Sequence, residues 1–246
     1  FYGKIIGFIE EYVQKQGYYL MLYSTKDIEE IFQMVAGWDV DGVIAISFSR
    51  HNCEKIYQLI NKPIVSIDAY GELDAGQENH VLNIGLDDES GGYLMTKYLL
   101  ECGYEHIQVC AGRDNGVDHF RYMGAQRAAK EFAGKKQKVQ FTALGMNYAK
   151  RKESYAWLIQ RKKPKTALFF LSDLYALEAI SFFSIRGVKI PEEIGIAGYD
   201  NISYAEFSVP RLTTISQNVE QKASLAVEIL MERINGVEKE RENEIE

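Results

Sequence analysis

The sequence predicts an α/β chain folded as two similar, doubly wound parallel-sheet lobes. Three observations predict it. Short apolar runs alternate with helix-periodic stretches roughly 20–25 residues apart, the rhythm of parallel βαβ units with right-handed crossovers. The alternation restarts after Leu86 with similar numbers of strands and helices on either side. The four prolines, Pro63, Pro164, Pro191 and Pro210, each stand just ahead of an apolar or β-branched run. A residue that cannot continue a helix marks the next strand there.

Taken in order, Ile5, Ile6, Ile9, Tyr12 and Val13 recur at helical spacing, and Gly17 stops a helix over 4–16. Residues 18–23 read as a short apolar strand and 28–35 as a helix. Asp41-Gly42 precedes a buried strand at 43–46, a helix covers 51–60, and Pro63 opens a strand at 64–67 that ends at Asp68. The loop 71–79 is polar. A strand at 81–86 leads to Asp87 and Asp88, which cap a helix reaching Leu100.

The second half repeats the pattern: strand 107–111, helix 121–132, strand 139–144, helix 151–161, strand 167–171 and helix 173–183. Ile194-Gly-Ile-Ala-Gly then reads as a buried parallel strand running out at Asp200. Residues 212–217 look like a connection rather than a core strand. A last amphipathic helix spans 219–234, and the charged tail 238–246 pairs as an edge strand or frays.

Composition narrows the function. A chain of 246 residues can bury a sizeable core, and a net charge of −7 with a pI near 5.3 shows no electrostatic footprint for nucleic acid. No apolar run approaches the roughly 20 residues of a membrane span, and the N-terminus is not a signal peptide. Cys53, Cys102 and Cys110 form no CxxC pair, which fits a reducing cytoplasm. The first residue is not Met, as expected of a fragment.

Reactive motifs are absent. There is no GxxxxGK[ST], no strand-borne GxGxxG, no GxSxG and no HExxH, so neither an enzyme, a cofactor nor a metal is expected. The four histidines are dispersed without ligand spacing. The basic runs 150–152 and 161–163 flank a helix containing Trp157; they read as a solvated face or as a polyanion patch. What remains is a set of polar residues at strand ends: Asp68, Ser172 with Asp173, and Asp200, plus Arg121 at a helix start. In open α/β sheets, ligands bind just past the carboxyl ends of strands. Ordinary proteins also place Asp and Ser there as helix caps, and Asp173 reads that way. Carboxylates accepting from neighbouring hydroxyls, with a guanidinium fork, suit a polyhydroxylated ligand. Tyr148 or Phe48 could stack on a sugar ring or belong to the core.

Over nearly its whole length the sequence resembles the effector-binding core of the LacI/GalR family of bacterial transcription regulators. The resemblance is carried by Val40-Asp41-Gly42-Val43-Ile44, Pro63-Ile-Val-Ser-Ile-Asp68, Asp87 with Gly91, Tyr98-Leu99-Leu100 before Gly103, and Arg121-Tyr-Met-Gly124. Further along it is carried by Thr166-Ala167-Leu168-Phe169, Gly195-x-x-Gly198-Tyr199-Asp200-Asn201 and Pro210-x-Leu212-Thr213-Thr214-Ile215. It implies a type I periplasmic-binding-protein-like fold whose lobes are joined by three crossovers, near Leu86, Ser216 and Glu238. The N-terminal lobe would comprise 1–85 with 216–238, and the C-terminal lobe 86–215 with 239–246.

Carried over by position, the ligand contacts would be Asp68, Arg121, Ser172, Asp200 and Gln217, with Tyr148 as an aromatic wall. Ser172 stands where the family usually has Asn, replacing an amide contact by a hydroxyl. The implied protein is a cytoplasmic, dimeric repressor that binds a small effector, most simply a sugar. It would meet operator DNA through a helix-turn-helix headpiece absent from this chain. Dimerisation would use Ile5, Ile9 and Tyr12, unless these face their own sheet. The alternative is an exported solute-binding protein for sugar transport.

Overall fold

A computed structural model describes residues 2–25, 27–73, 79–132, 137–237 and 244–245. By its internal packing the chain divides into two compact units, 1–87 with 218–246, and 88–217.

In the first unit the order is α1 (Tyr2–Lys15), α2 (Ile28–Val35), β1 (Val43–Ile46), α3 (Arg50–Ile60), β2 (Ile64–Ile67) and β3 (Leu82–Leu86). Two further elements, labelled after those of the second unit, are α9 (Val219–Ile234) and β9 (Glu244–Ile245). The strands pair in parallel in the order β1-β2-β3-β9. One face of this sheet packs against α1 and α9 through Ile5, Ile9, Val65, Ile67, Ile84 and Leu230. Ile31, Val35, Ala45 and Ile56 form the core with α2 and α3 on the other. Strand β2 is buried at every position, as a central strand covered on both faces must be.

The second unit runs α4 (Asp88–Glu101), β4 (His106–Ala111), α5 (Gly116–Glu131), β5 (Lys138–Ala143), α6 (Tyr148–Gln160) and β6 (Thr166–Phe170). It continues with α7 (Asp173–Ser184), β7 (Gly195–Asp200), α8 (Ser203–Phe207) and β8 (Thr213–Ser216). Its parallel sheet has the order β5-β4-β6-β7-β8. Side chains of β6 alternate between two cores: Ala167 and Phe169, with Leu171 just after the strand, meet α4 and α5, while Leu168 and Phe170 meet α6 and α7. The strand order reverses between β4 and β6, which makes their carboxyl ends the expected place for a ligand.

Four expectations change. Residues 18–23 form no strand: no described strand offers them a ladder, and Tyr19 lies in the open, although Tyr18 and Leu20 still pack on the core. Thr213–Ser216, expected as a connection, is a strand in register with β7, Asp200 opposite Ser216; its β-branched residues suit a half-exposed sheet edge. Ile5 and Ile9 are fully sequestered in the first unit's core and cannot form a dimer surface. Glu244–Ile245 pairs with Gly85 and Leu86, which supplies partners to the outer backbone edge of β3. Glu244–Ile245, expected in the second lobe, therefore group with the first unit. The crossover expected near Glu238 and most of the loop 71–79 lie outside the described residues.

Candidate effector site

Three neighbouring strands of the second unit end in polar residues. Ser172 follows β6, Asp200 closes β7 and Gln217 follows β8, so parallel pairing brings the three side chains together. Ser172 Oγ donates to Asp200 Oδ2 at 3.1 Å, and Gln217 Nε2 donates to Asp200 Oδ1 at 2.6 Å. Asp200 has φ of 121° and Asn201 of 50°, a conformation that costs energy for residues with a Cβ and clusters at functional sites. Burial pushes the Asp200 carboxyl above its ordinary range, while Arg121, Ser172 and Gln217 pull it back.

Arg121 lies on the second turn of α5, which begins at Gly116, earlier than its sequence pattern suggests. Its Nε donates to Asp88 Oδ1 at 2.7 Å and its Nη1 to the Leu171 carbonyl at 3.0 Å. The guanidinium lies 3.8 Å from the Tyr199 ring centroid, and Tyr199 donates its hydroxyl to the same Asp88 oxygen. Nε and Nη1 of the fork are thus bonded within the protein, and through Leu171 the guanidinium braces the wall on which Ser172 sits. Burial works most strongly against the charge of Arg121, but Asp88, Tyr199 and Asp118 together outweigh it and hold the guanidinium ionised. Asp118 adds a longer contact of 3.4 Å, and burial pushes its carboxyl up to about 6 in spite of Arg121.

Asp173, expected to cap a helix, instead bonds the chain around the ends of β7 and β8. Wholly buried, it accepts from the Ile202 amide at 2.9 Å and from Thr214 Oγ1 at 2.6 Å, tying the turn after β7 to β8. Tyr148 opens α6 half-exposed, with the Lys152 ammonium near its ring, and shares no hydrogen bond or ring contact with the Asp200 cluster. Phe48 packs in the first unit's core. The run 150–152 is not a uniform basic face either: Arg151 is buried and gives Glu178 two hydrogen bonds of 2.7 Å.

In the first unit, Asp68 follows β2 at φ of 53° and meets the buried Lys222 at 2.6 Å. Sequence reasoning missed Lys222, because its place in α9 reads as one more polar residue of an amphipathic helix. It also read Asp88 only as a cap and passed over Tyr199, although Tyr199 precedes Asp200 in a conspicuous motif. Gln217 and Lys222 stand on one short stretch of chain, each fixed to the strand-end carboxylate of a different unit. No group of three or more His, Cys, Asp or Glu side chains among the described residues could hold a metal ion.

Two parallel-sheet units, each with a carboxylate at the carboxyl end of a strand, have the build of a ligand-binding module. Residues 96–246 match the periplasmic binding protein-like domain family. The chain is 32% identical over 253 residues to the HTH-type transcriptional repressor PurR of Pasteurella multocida, covering 98% of this chain and 73% of that protein. It is similar to a periplasmic binding protein/LacI transcriptional regulator of Alkaliphilus metalliredigens complexed with D-xylulofuranose, with a TM-score of 0.81 and 27% identity. That match covers 98% of this chain and 88% of the other. A LacI family regulator of Enterococcus faecium with bound ribose gives a TM-score of 0.83 at 25% identity, over 97% and 87% of the two chains. The chain belongs to the LacI/GalR family of transcriptional regulators, as its effector-binding core. Its relatives are regulators, not enzymes, and they favour the regulatory reading over solute transport.

Proposed function

We propose that this core senses a small neutral polyol, most simply a sugar, and that occupancy changes the operator affinity of the repressor to which it belongs. The observation that carries the reading is the Asp200 carboxylate, at the carboxyl end of β7 and aimed by Ser172 and Gln217. Two hydrogen-bonded carboxylate oxygens beside a hydroxyl and an amide suit adjacent hydroxyl groups. The ribose and D-xylulofuranose bound by the two similar structures support the same chemistry. Asp68 and Arg121 would contribute further effector contacts, as the family resemblance implies. A ligand that favours one conformation shifts the population toward it, and a coupling of about 1–3 kcal/mol suffices to regulate binding elsewhere.

The test is calorimetry with D-ribose, D-xylulose, hexoses and disaccharides. Binding of one of them, weakened by about 2 kcal/mol in Asp200→Ala through stranded hydroxyls, is expected. No binding across the panel would remove the sugar reading, and an unchanged affinity in the variant would remove Asp200.

Operator contact belongs to a helix-turn-helix segment outside these residues, working in the cytoplasm as a dimer. No described helix is long and apolar enough to cross a membrane. With Ile5 and Ile9 in the core, the dimer surface is better sought at Tyr204, Phe207 and Val209, each more than 70% exposed on or just after α8. Tyr204→Glu with Phe207→Glu should convert the dimer to monomer in sedimentation; a monomeric parent chain would discard this surface.

A further inference from the structure

We propose that Lys222 is a positioning residue for effector recognition, holding the Asp68 carboxylate in one orientation as a hydrogen-bond acceptor at the end of β2. The inference rests on Asp68 being an effector contact. Three observations lead to it.

Lys222 belongs to the buried stripe of α9, between Val219 and Ala223 and in line with Ala226 and Leu230. Among the described residues of that helix it is the charged member of the buried set, and its side chain is 0% exposed. A Leu or Met would satisfy such a position on packing grounds. Burying an ammonium costs several kcal/mol before pairing, and replacing a buried ion pair by apolar groups is often neutral or stabilising. Stability alone therefore gives no reason for a lysine here.

The pairing is short and directed. Nζ donates to Asp68 Oδ1 at 2.6 Å, and the Asp68 side chain retains 12% exposure, so the pair stands at an opening and not in the depth of the core.

The backbone beneath Asp68 is fixed independently. Asp68 has φ of 53°, in the left-handed region that residues with a Cβ rarely adopt. Its amide donates to the Ile84 carbonyl at 2.9 Å, and the next amide, Ala69, donates to Asn83 Oδ1 at 2.8 Å. Ser66 Oγ steadies the same Asn83 oxygen at 3.1 Å. Strand β3 thus pins the main chain and α9 pins the carboxylate, which is the two-sided support a precise acceptor needs.

The arrangement also has chemical selectivity. An ammonium at 2.6 Å offsets the carboxylate charge, so Asp68 offers an acceptor to hydroxyl groups without offering a net anion to a cationic ligand.

The experiment measures D-ribose, D-xylulose and cellobiose affinity for the wild-type chain, Lys222→Met, Asp68→Asn and the double variant, with urea unfolding of each. Lys222→Met should weaken the bound sugar at least tenfold. The double variant should bind no more weakly than Asp68→Asn alone, because Lys222 acts through Asp68. Wild-type affinity in Lys222→Met, or independent losses that multiply in the double variant, would overturn the proposal. If Lys222→Met is too unstable to assay, the double variant, which strands no charge, carries the same comparison against Asp68→Asn. Failure of the wild-type chain to bind any of the three sugars instead removes the effector reading and, with it, the role of Lys222.

Discussion

The guanidinium of Arg121 and the carboxylate of Asp88 meet at 2.7 Å, both side chains less than one-tenth exposed, with the Tyr199 ring stacked on the former and its hydroxyl bonded to the latter. Removing one partner of a buried pair leaves a charge with neither water nor counter-ion, at a cost of about 3–5 kcal/mol. Asp88→Ala should lose that much in urea unfolding, and Asp88→Asn less. A loss under about 1 kcal/mol would show that Tyr199 and Leu171 alone hold Arg121.

The pair depends on how closely α4 and α5 approach. A Cβ at Gly92 would fall into the Arg121 carbonyl, and one at Gly124 into the Glu89 carbonyl. Backbone cannot yield as a flexible side chain can, so Gly92→Ala and Gly124→Ala should each cost up to about 3 kcal/mol. Sugar affinity should fall with stability, since Arg121 would be moved from beneath Leu171. A crystal structure of Gly124→Ala with Arg121 unmoved would contradict this.

Glu54 serves the first unit in a similar way. It is 1% exposed, accepts from the amides of His80 and Val81 at 2.8 and 2.9 Å, and takes the His80 ring at 3.1 Å. Glu54→Ala would strand the buried Val81 amide and the part-buried His80 amide at the entrance to β3, costing about 1–3 kcal/mol for the first and less for the second. Hydrogen exchange at His80 and Val81 should accelerate well before exchange in β2 does.

Asp118 and Asp173 both reach about 6 in the folded chain, chiefly through burial, against an ordinary value of 3.8. Between these values the folded state binds more protons than the unfolded one, so stability falls as pH rises. The loss begins above about 4 and is complete above about 6; below 4 both states are protonated. The thermal midpoint should therefore decline from pH 5 to pH 7 more steeply in the wild type than in Asp118→Asn. Identical slopes would mean that water reaches Asp118 freely.

The sequence made the alternation of strands and helices legible because each β-strand is bounded by a proline, a glycine or an acidic cap, and each helix keeps an apolar stripe. Ser172 and Asp200 were legible for the same reason, since strand ends in a parallel sheet share one rim; Gln217 came only from the family resemblance, because the strand before it was read as a connection. Residues 18–23 misled because β-propensity says nothing about whether a neighbouring strand exists to pair with. Thr213–Ser216 misled in the opposite sense: an edge strand exposes half its residues and so reads as a loop. Ile5 and Ile9 show that an apolar stripe reveals burial but not the partner that buries it. Lys222 was invisible because burial of a charge is a tertiary fact, set by Asp68 at the far end of the sequence from α9.

The stretch from Gln217 to Lys222 acts as a ruler. Its first residue is tied to Asp200 and its last to Asp68. Lys222 lies inside a helix, where each residue turns the side chain by about 100°. Deleting one residue between Val219 and Gln221 would swing the ammonium off Asp68 while leaving Gln217 in place, and the residue then facing Asp68 would be Ala223. Loop lengths in such proteins ordinarily tolerate change. Here the number of residues decides which side chain meets each carboxylate, and chimaeras joined within 217–222 must preserve it to keep Gln217 on Asp200 and Lys222 on Asp68.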